Sequence, residues 1–159
     1  MMAIRTPAIV LGTALCLSAA PLAAQEAEGW QTQCKPDRCT LTISMTEAQS
    51  GRRASTFVAI VNKDGTNHLG ALVPLGTAIE AGIRLVAEDT EIKAPFQSCF
   101  PDGCRGFAEV NAATLDAFAG ADTAEIQFFA LGQERPLSVA APMDGLSQAL
   151  ASARAELGQ

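Results

Sequence analysis

Apolar and polar residues alternate with period two along much of this chain. After Cys39, the residues Leu41, Ile43 and Met45 point one way, and Thr40, Thr42, Ser44 and Thr46 point the other. That is the pattern of a half-buried strand. Residues 47–55 are polar, contain Gly51-Arg52-Arg53 and read as a loop. Thr56 to Val61 reads as a second strand, ended by the turn signal Asn62-Lys63-Asp64-Gly65. His68 to Val73 reads as a third, closed by Pro74. Leu75 to Gly82 is too rich in glycine for a helix and reads as a loop into a fourth strand, Ile83 to Val86. After the polar turn 88–91, Ile92 to Ser98 reads as one strand running into Cys99, with Gly106 to Val110 as its hairpin partner.

The period then changes. Asn111 has the character of a helix N-cap, with Leu115, Phe118 and Ala119 at helical spacing and Gly120 at the stop. Ala124 to Leu131 and Pro136 to Ala140 give a last pair of strands. Asp144 is placed to cap a C-terminal helix with Leu146, Ala149, Leu150, Ala153 and Leu157 on one face. Seven or eight short strands with frequent turn signals predict an all-β sandwich or partly open barrel, with two short helices against it. The expected core is Leu41, Ile43, Phe57, Val58, Ile60, Leu85, Val86, Phe96, Phe107, Ile126, Phe128 and Leu137. Residues 25–33 are polar apart from Trp30, which stands four residues before Cys34, close enough to lay its ring on a disulfide or to cap the core.

Two six-residue windows stand out from this background. Cys34-Lys35-Pro36-Asp37-Arg38-Cys39 and Cys99-Phe100-Pro101-Asp102-Gly103-Cys104 both read Cys-x-Pro-Asp-x-Cys. Proline pre-sets φ at the first corner of a β-turn, and Asp suits the second. Such a turn brings its flanking cysteines face to face, at a separation that a disulfide bridges.

The start of the chain sets the compartment. Met1 to Arg5 is a short positive segment, followed by an apolar run from Ala8 to Ala20 and small residues at Ala23 and Ala24. This is the layout of a secretory signal peptide, with cleavage expected after Ala24. Cys16 lies within it, and Leu15 before it is too large for lipoprotein processing. Residues 25–159 then form one domain with four cysteines, an even number in an exported chain. Four cysteines allow three connectivities, and the turn chemistry favours the two local ones, 34–39 and 99–104. Residues 1–24 hold one of the 11 basic residues and none of the 17 acidic ones, so the mature chain carries ten positive against seventeen negative groups, net −7. That charge opposes nucleic acid or anionic lipid as a partner. No later run is long and apolar enough for a membrane span.

Catalytic chemistry is sparse. His68 is the only histidine and has no nucleophile motif beside it; there is no tyrosine. Glu88, Asp89 and Glu91 sit in a polar turn, where a solvated loop explains them. Cys-x4-Cys pairs are within zinc-ligand spacing, but an oxidising compartment and a proline inside each loop oppose zinc. Neither pair has the Cys-x-x-Cys spacing at a helix start that redox catalysis uses. No metal or cofactor is expected. The four cysteines alone support the alternative of a periplasmic thiol-redox or metal-binding protein.

Taken together, the export signal, Trp30 ahead of the first cysteine, Gly82-Ile83-Arg84-Leu85, Cys99-Phe100-Pro101-Asp102-Gly103-Cys104 followed by Ala108-Glu109-Val110, and the closing segment 137–146 resemble the invasion-associated locus B family. The resemblance covers most of the mature chain and is most specific from Gly82 to Val110. It implies a secreted or periplasmic protein of alphaproteobacteria. It also implies a virulence association, since the family's name comes from entry of a pathogen into red blood cells. The family has no accepted catalytic residues. The expectation is therefore a non-enzymatic module that binds an unidentified protein or cell-envelope component, with Phe100, Asp102, Arg105 and Trp30 as candidate binding residues.

Overall fold

The computed structural model describes residues 29–46 and 53–159. The signal peptide expected over 1–24, with Cys16, and residues 47–52 of the polar loop lie outside the described residues. The strands are β1 (Gln31–Lys35), β2 (Arg38–Thr46), β3 (Arg53–Asn62), β4 (Asn67–Val73), β5 (Ile83–Ala87), β6 (Thr90–Ala94), β7 (Phe96–Phe100), β8 (Gly103–Val110), β9 (Thr123–Phe128) and β10 (Leu137–Pro142). The helices are α1 (Ala112–Gly120) and α2 (Leu146–Leu157), and a short 3-10 turn spans Ile79–Ala81. Two antiparallel sheets result. The larger has the order β1-β2-β3-β4-β8-β7, the smaller β10-β9-β5-β6.

The alternation on β2 explains how the layers meet. Cys39, Leu41 and Ile43 are buried while Thr40, Thr42 and Ser44 stay partly exposed. In the register Leu41↔Ala59, Ala59↔Leu69 and Leu69↔Ala108, the same row continues across the sheet through Phe57, Val61, Ala71 and Val73. Opposing strand residues share a face, so this row is one apolar surface. It is covered by Ile83, Leu85, Ala124, Ile126 and Phe128 of the smaller sheet and by Leu115, Phe118, Leu146, Leu150 and Leu157 of the helices. α2 lies against β1, β2 and β3, and β10 lies over β2 and β3. Phe57 is the hub: its ring centroid is 6.0 Å from Trp30, edge-on, and 6.0 Å from Phe118.

Several sequence expectations need correction. Residues 31–33, read from the sequence only as polar, are strand, because β1 pairs with β2 from Gln31↔Thr42 to Lys35↔Arg38. β3 begins at Arg53, inside the segment read as loop, where its pairing with β2 shifts register between Met45 and Thr46. Ile92 to Ser98 is not one strand. Pro95 has no N–H to give a ladder, so the chain leaves the smaller sheet at Ala94 and enters the larger at Phe96. Gly106 makes room for this corner: a Cβ there would lie 3.0 Å from the Pro95 carbonyl oxygen. β9 stops at Phe128 rather than Leu131. Asn111 caps α1, its Oδ1 accepting from the Thr114 N–H at 2.8 Å. Asp144 does not cap α2; the N-cap is Gly145, in the left-handed region at φ 85°. Leu137 is 49% exposed at the open end of the smaller sheet and does not belong to the core, and Ile60, Val86, Phe96 and Phe107 are only half-buried.

Candidate functional site

The β7–β8 hairpin closes through two residues, Pro101 and Asp102. Phe100 pairs with Gly103, and Cys99 with Cys104. Among the described residues only Glu88 combines a side chain with positive φ, so Pro101 and Asp102 form a turn of the type I kind rather than a primed one. Such a turn fits the strand twist poorly, and the next residue absorbs the mismatch. Gly103 has φ 139°, and a Cβ there would run into the Val73 carbonyl oxygen and the Leu72 side chain. A disulfide joins Cys99 to Cys104 across a Cα–Cα distance of 3.9 Å. Cys104 is buried and Cys99 exposed.

On this tip Phe100 is 51% exposed. The guanidinium carbon of Arg105 stands 5.0 Å from the centre of its ring, within cation–π range. Arg105 Nη2 also donates to Asp102 Oδ2 at 2.8 Å. Both charged side chains are more than two-fifths exposed, so this pair contributes about 0–1 kcal/mol to stability. Its geometric effect is larger, because it fixes a cation over one face of an outward-facing ring. Three of the four candidate binding residues therefore meet at one tied hairpin.

Trp30 is elsewhere. It packs against Phe57 instead of covering a disulfide, beside Gly145 at the start of α2. Its Nε1 is buried with no hydrogen-bond partner among the described residues.

The other staple lies at the β1–β2 hairpin, where Cys34 is bonded to Cys39 across 4.0 Å between Cα atoms. β2, β3, β4 and β8 run antiparallel, so the two staples occupy opposite ends and opposite edges of the larger sheet. The first is tucked under α2, with Cys39 Sγ 3.7 Å from the Ala153 carbonyl oxygen. The Glu156 carboxylate lies within 4.8 Å of both sulfurs. With the sulfurs bonded to one another, that cluster offers one carboxylate and no thiolate. At the same end, the Lys63 N–H donates to the Asp37 carbonyl at 2.8 Å. Beside it, the Thr66 backbone N–H and hydroxyl hold the Asp64 carboxyl below its ordinary range. His68 sits with its Nδ1 3.5 Å from Asn62 Nδ2, opposite Glu109 on β8.

One apolar feature escaped the sequence reading. Leu75 and Ile79 lie on one loop, and Leu131 on another, all more than half exposed. The loops are joined by hydrogen bonds from Ala78 N to Phe129 O and from Leu131 N to Gly76 O. Both loops carry a Leu-Gly pair, 75–76 and 131–132, whose glycines have positive φ, but the same pair also occurs at 69–70 inside β4 and at 157–158 at the end of α2, so the sequence alone does not mark the feature.

A family model described as Invasion associated locus B (IalB) protein matches residues 22–154. No curated protein matches the chain. The fold is similar to the crystal structure of invasion associated protein b from Bartonella henselae, with a TM-score of 0.72 at 21% identity, covering 82% of this chain and 94% of that one.

Proposed function

Since this chain belongs to the invasion associated locus B family, we propose that it is an exported, non-enzymatic binding domain that engages a protein or cell-envelope partner through the Cys99–Cys104 tip. Residues 1–24 leave as the signal peptide, and residues 25–159 act as one domain in the periplasm or outside the cell. The two disulfides and the family support export. Among the described residues no helix is long and apolar enough to cross a membrane.

The observation that carries the binding reading is a half-exposed phenylalanine on a covalently closed hairpin, with a cation fixed beside its ring. A tied loop has lost much of its ordering entropy before a partner arrives. Aromatic and arginine side chains are also the types that most often anchor interfaces. Host-cell invasion is the role that the family's name supports.

The test is crosslinking and capture from the periplasm with the exported protein as bait, for wild type and Phe100→Ala. We expect the variant to melt at the wild-type temperature and to lose the captured partner. A variant that keeps both stability and partner removes the tip from consideration and makes Trp30 the next residue to examine. A lowered melting temperature identifies the ring as part of the fold.

A further inference from the structure

Among the described residues, the large apolar side chains with the greatest exposure are Leu75, Ile79, Phe100, Leu131 and Leu137, from 49% to 75%. Strand pairing puts all five at one end of the sandwich. Val73↔Cys104 sets the end of β4, and the loop 74–82 that follows it, beside the Cys99–Cys104 tip. Leu137↔Phe128 sets the start of β10 beside the end of β9. The bridge Thr77↔Ala130 then joins loop 74–82 to loop 129–136. Exposed apolar residues scattered singly are ordinary, whereas a gathering of them marks an interaction surface.

We propose that this end of the molecule seats on the surface of a zwitterionic phospholipid bilayer, with Leu75, Ile79, Leu131 and Leu137 entering the interface beside Phe100. The proposal deepens the tip reading by naming the chemistry of an envelope partner, and it rests on that reading for Phe100 alone.

The residue types favour lipid over protein. Leucine is under-represented among the side chains that anchor protein interfaces. Leucine, isoleucine and phenylalanine are among the side chains that transfer most favourably into a membrane. Leu131, at 75% exposure, stands clear of its neighbours instead of lining a groove.

The backbone is suited to the same environment, because a polar group without a partner is costly in hydrocarbon. The two loops bond to each other, Ala78 N–H to the Phe129 carbonyl at 2.8 Å and Leu131 N–H to the Gly76 carbonyl at 2.7 Å. Within them, Gly82 N–H donates to Ile79, Gln133 N–H to Ala130, and the Thr77 hydroxyl to the Pro74 carbonyl. Pro74, Pro101 and Pro136, one in each of the three connections, have no N–H to strand.

Charge selects the kind of lipid. Residues 74–82, 99–105 and 129–137 hold Glu80, Asp102 and Glu134 against Arg105 and Arg135, net −1 out of the −7 of the mature chain. Asp102 and Arg105 are already paired with each other. The end that carries the apolar side chains is thus close to neutral, and the excess of negative charge lies elsewhere. An anionic surface would repel the molecule as a whole, and a zwitterionic one does not.

The test is flotation of the exported protein with phosphatidylcholine vesicles. We expect the wild type to float with them, and to do so equally at about 1 M salt, where exposed charges are screened within about 3 Å. Leu131→Ser and Ile79→Ser should each weaken binding roughly tenfold, and Leu75→Ser with Leu131→Ser should abolish it, all at the wild-type melting temperature. Absence of flotation, flotation unchanged in the double variant, or binding confined to phosphatidylserine vesicles and lost in salt overturns the proposal. So does a mass that doubles with concentration and returns to monomer in Leu131→Ser, which would put a second copy on this end. Loss of a crosslinked protein in Leu131→Ser without any flotation would make it a protein interface instead. The tip is judged separately. If vesicles do not bind and Phe100→Ala still loses its captured partner, the bilayer seat falls and the tip stands. If Phe100→Ala floats like the wild type while the leucine variants do not, the seat stands on its two loops and the tip falls.

Discussion

Replacing Phe57 by Ala removes the side chain on which two aromatic contacts converge. Phe57 is fully buried, flanked on its strand neighbours by Ile43 and Ala71, with Trp30 edge-on on one side and Phe118 tilted on the other. Emptying a buried phenylalanine site costs about 3–5 kcal/mol, and the cost rises when the surroundings cannot collapse into the space. Here the backbone is held on both sides by sheet ladders, so the upper half of that range is expected. Each aromatic pair accounts for about 0.5–1.5 kcal/mol beyond the area it buries. The melting temperature should fall by roughly 10 °C or more, at the scaling for domains of this size. The measurement is equilibrium urea unfolding followed by far-UV circular dichroism and by the fluorescence of Trp30, the only tryptophan. A double-mutant cycle with Trp30→Ala isolates the edge-on pair. A loss below about 1.5 kcal/mol for Phe57→Ala, outside the range for an emptied aromatic site, would refute the assignment of this ring as the hub. A coupling indistinguishable from zero would refute the contact with Trp30.

On β9, Phe128 is buried whereas the next residue, Phe129, lies past the strand end and is partly exposed. Phe128→Ala should therefore cost roughly 3–5 kcal/mol, and Phe129→Ala clearly less by the same denaturation assay; the reverse order would put the strand register out by one. Limited reduction followed by alkylation and mass spectrometry should open Cys99–Cys104 before Cys34–Cys39, because Cys99 is exposed while Cys39 is fully buried beneath α2. Simultaneous opening of both would mean that α2 does not shield the first staple. Removing either bridge should lower stability by roughly 2 kcal/mol, the entropy of closing so short a loop.

What could be read from the chain divides along a physical line. Strands whose two faces differ in polarity, such as Leu41 to Thr46, announce themselves, and so does the Asn111 cap, whose partner is three residues away. β1 does not, because Gln31, Thr32 and Gln33 are polar on both faces and owe their conformation to β2. The split at Pro95 depends on two sheets that are not adjacent in sequence, and the exposure of Leu137 on where a sheet ends. At the tip, Phe100, Asp102 and Arg105 fall within six residues, so their meeting was legible; that Arg105 covers the ring was not. Nor was the gathering of exposed apolar side chains at one end, since strand order and direction decide which connections share it.

The placement of the two staples has a further consequence. An interior strand is held in alignment from both sides, and an edge strand from one. In β1 the alternating pattern is too weak to penalise a shift by one residue, and in β7 the ladder already contains an irregularity. Both margins are therefore the places where strands could slide or exchange between molecules. Cys34–Cys39 and Cys99–Cys104 each bond a directly opposed pair, so neither margin can slide without breaking a covalent bond. The bridges thus specify alignment where side-chain packing does not, and a reduced chain should sample shifted pairings at its two lateral strands while the middle of the sheet keeps its own.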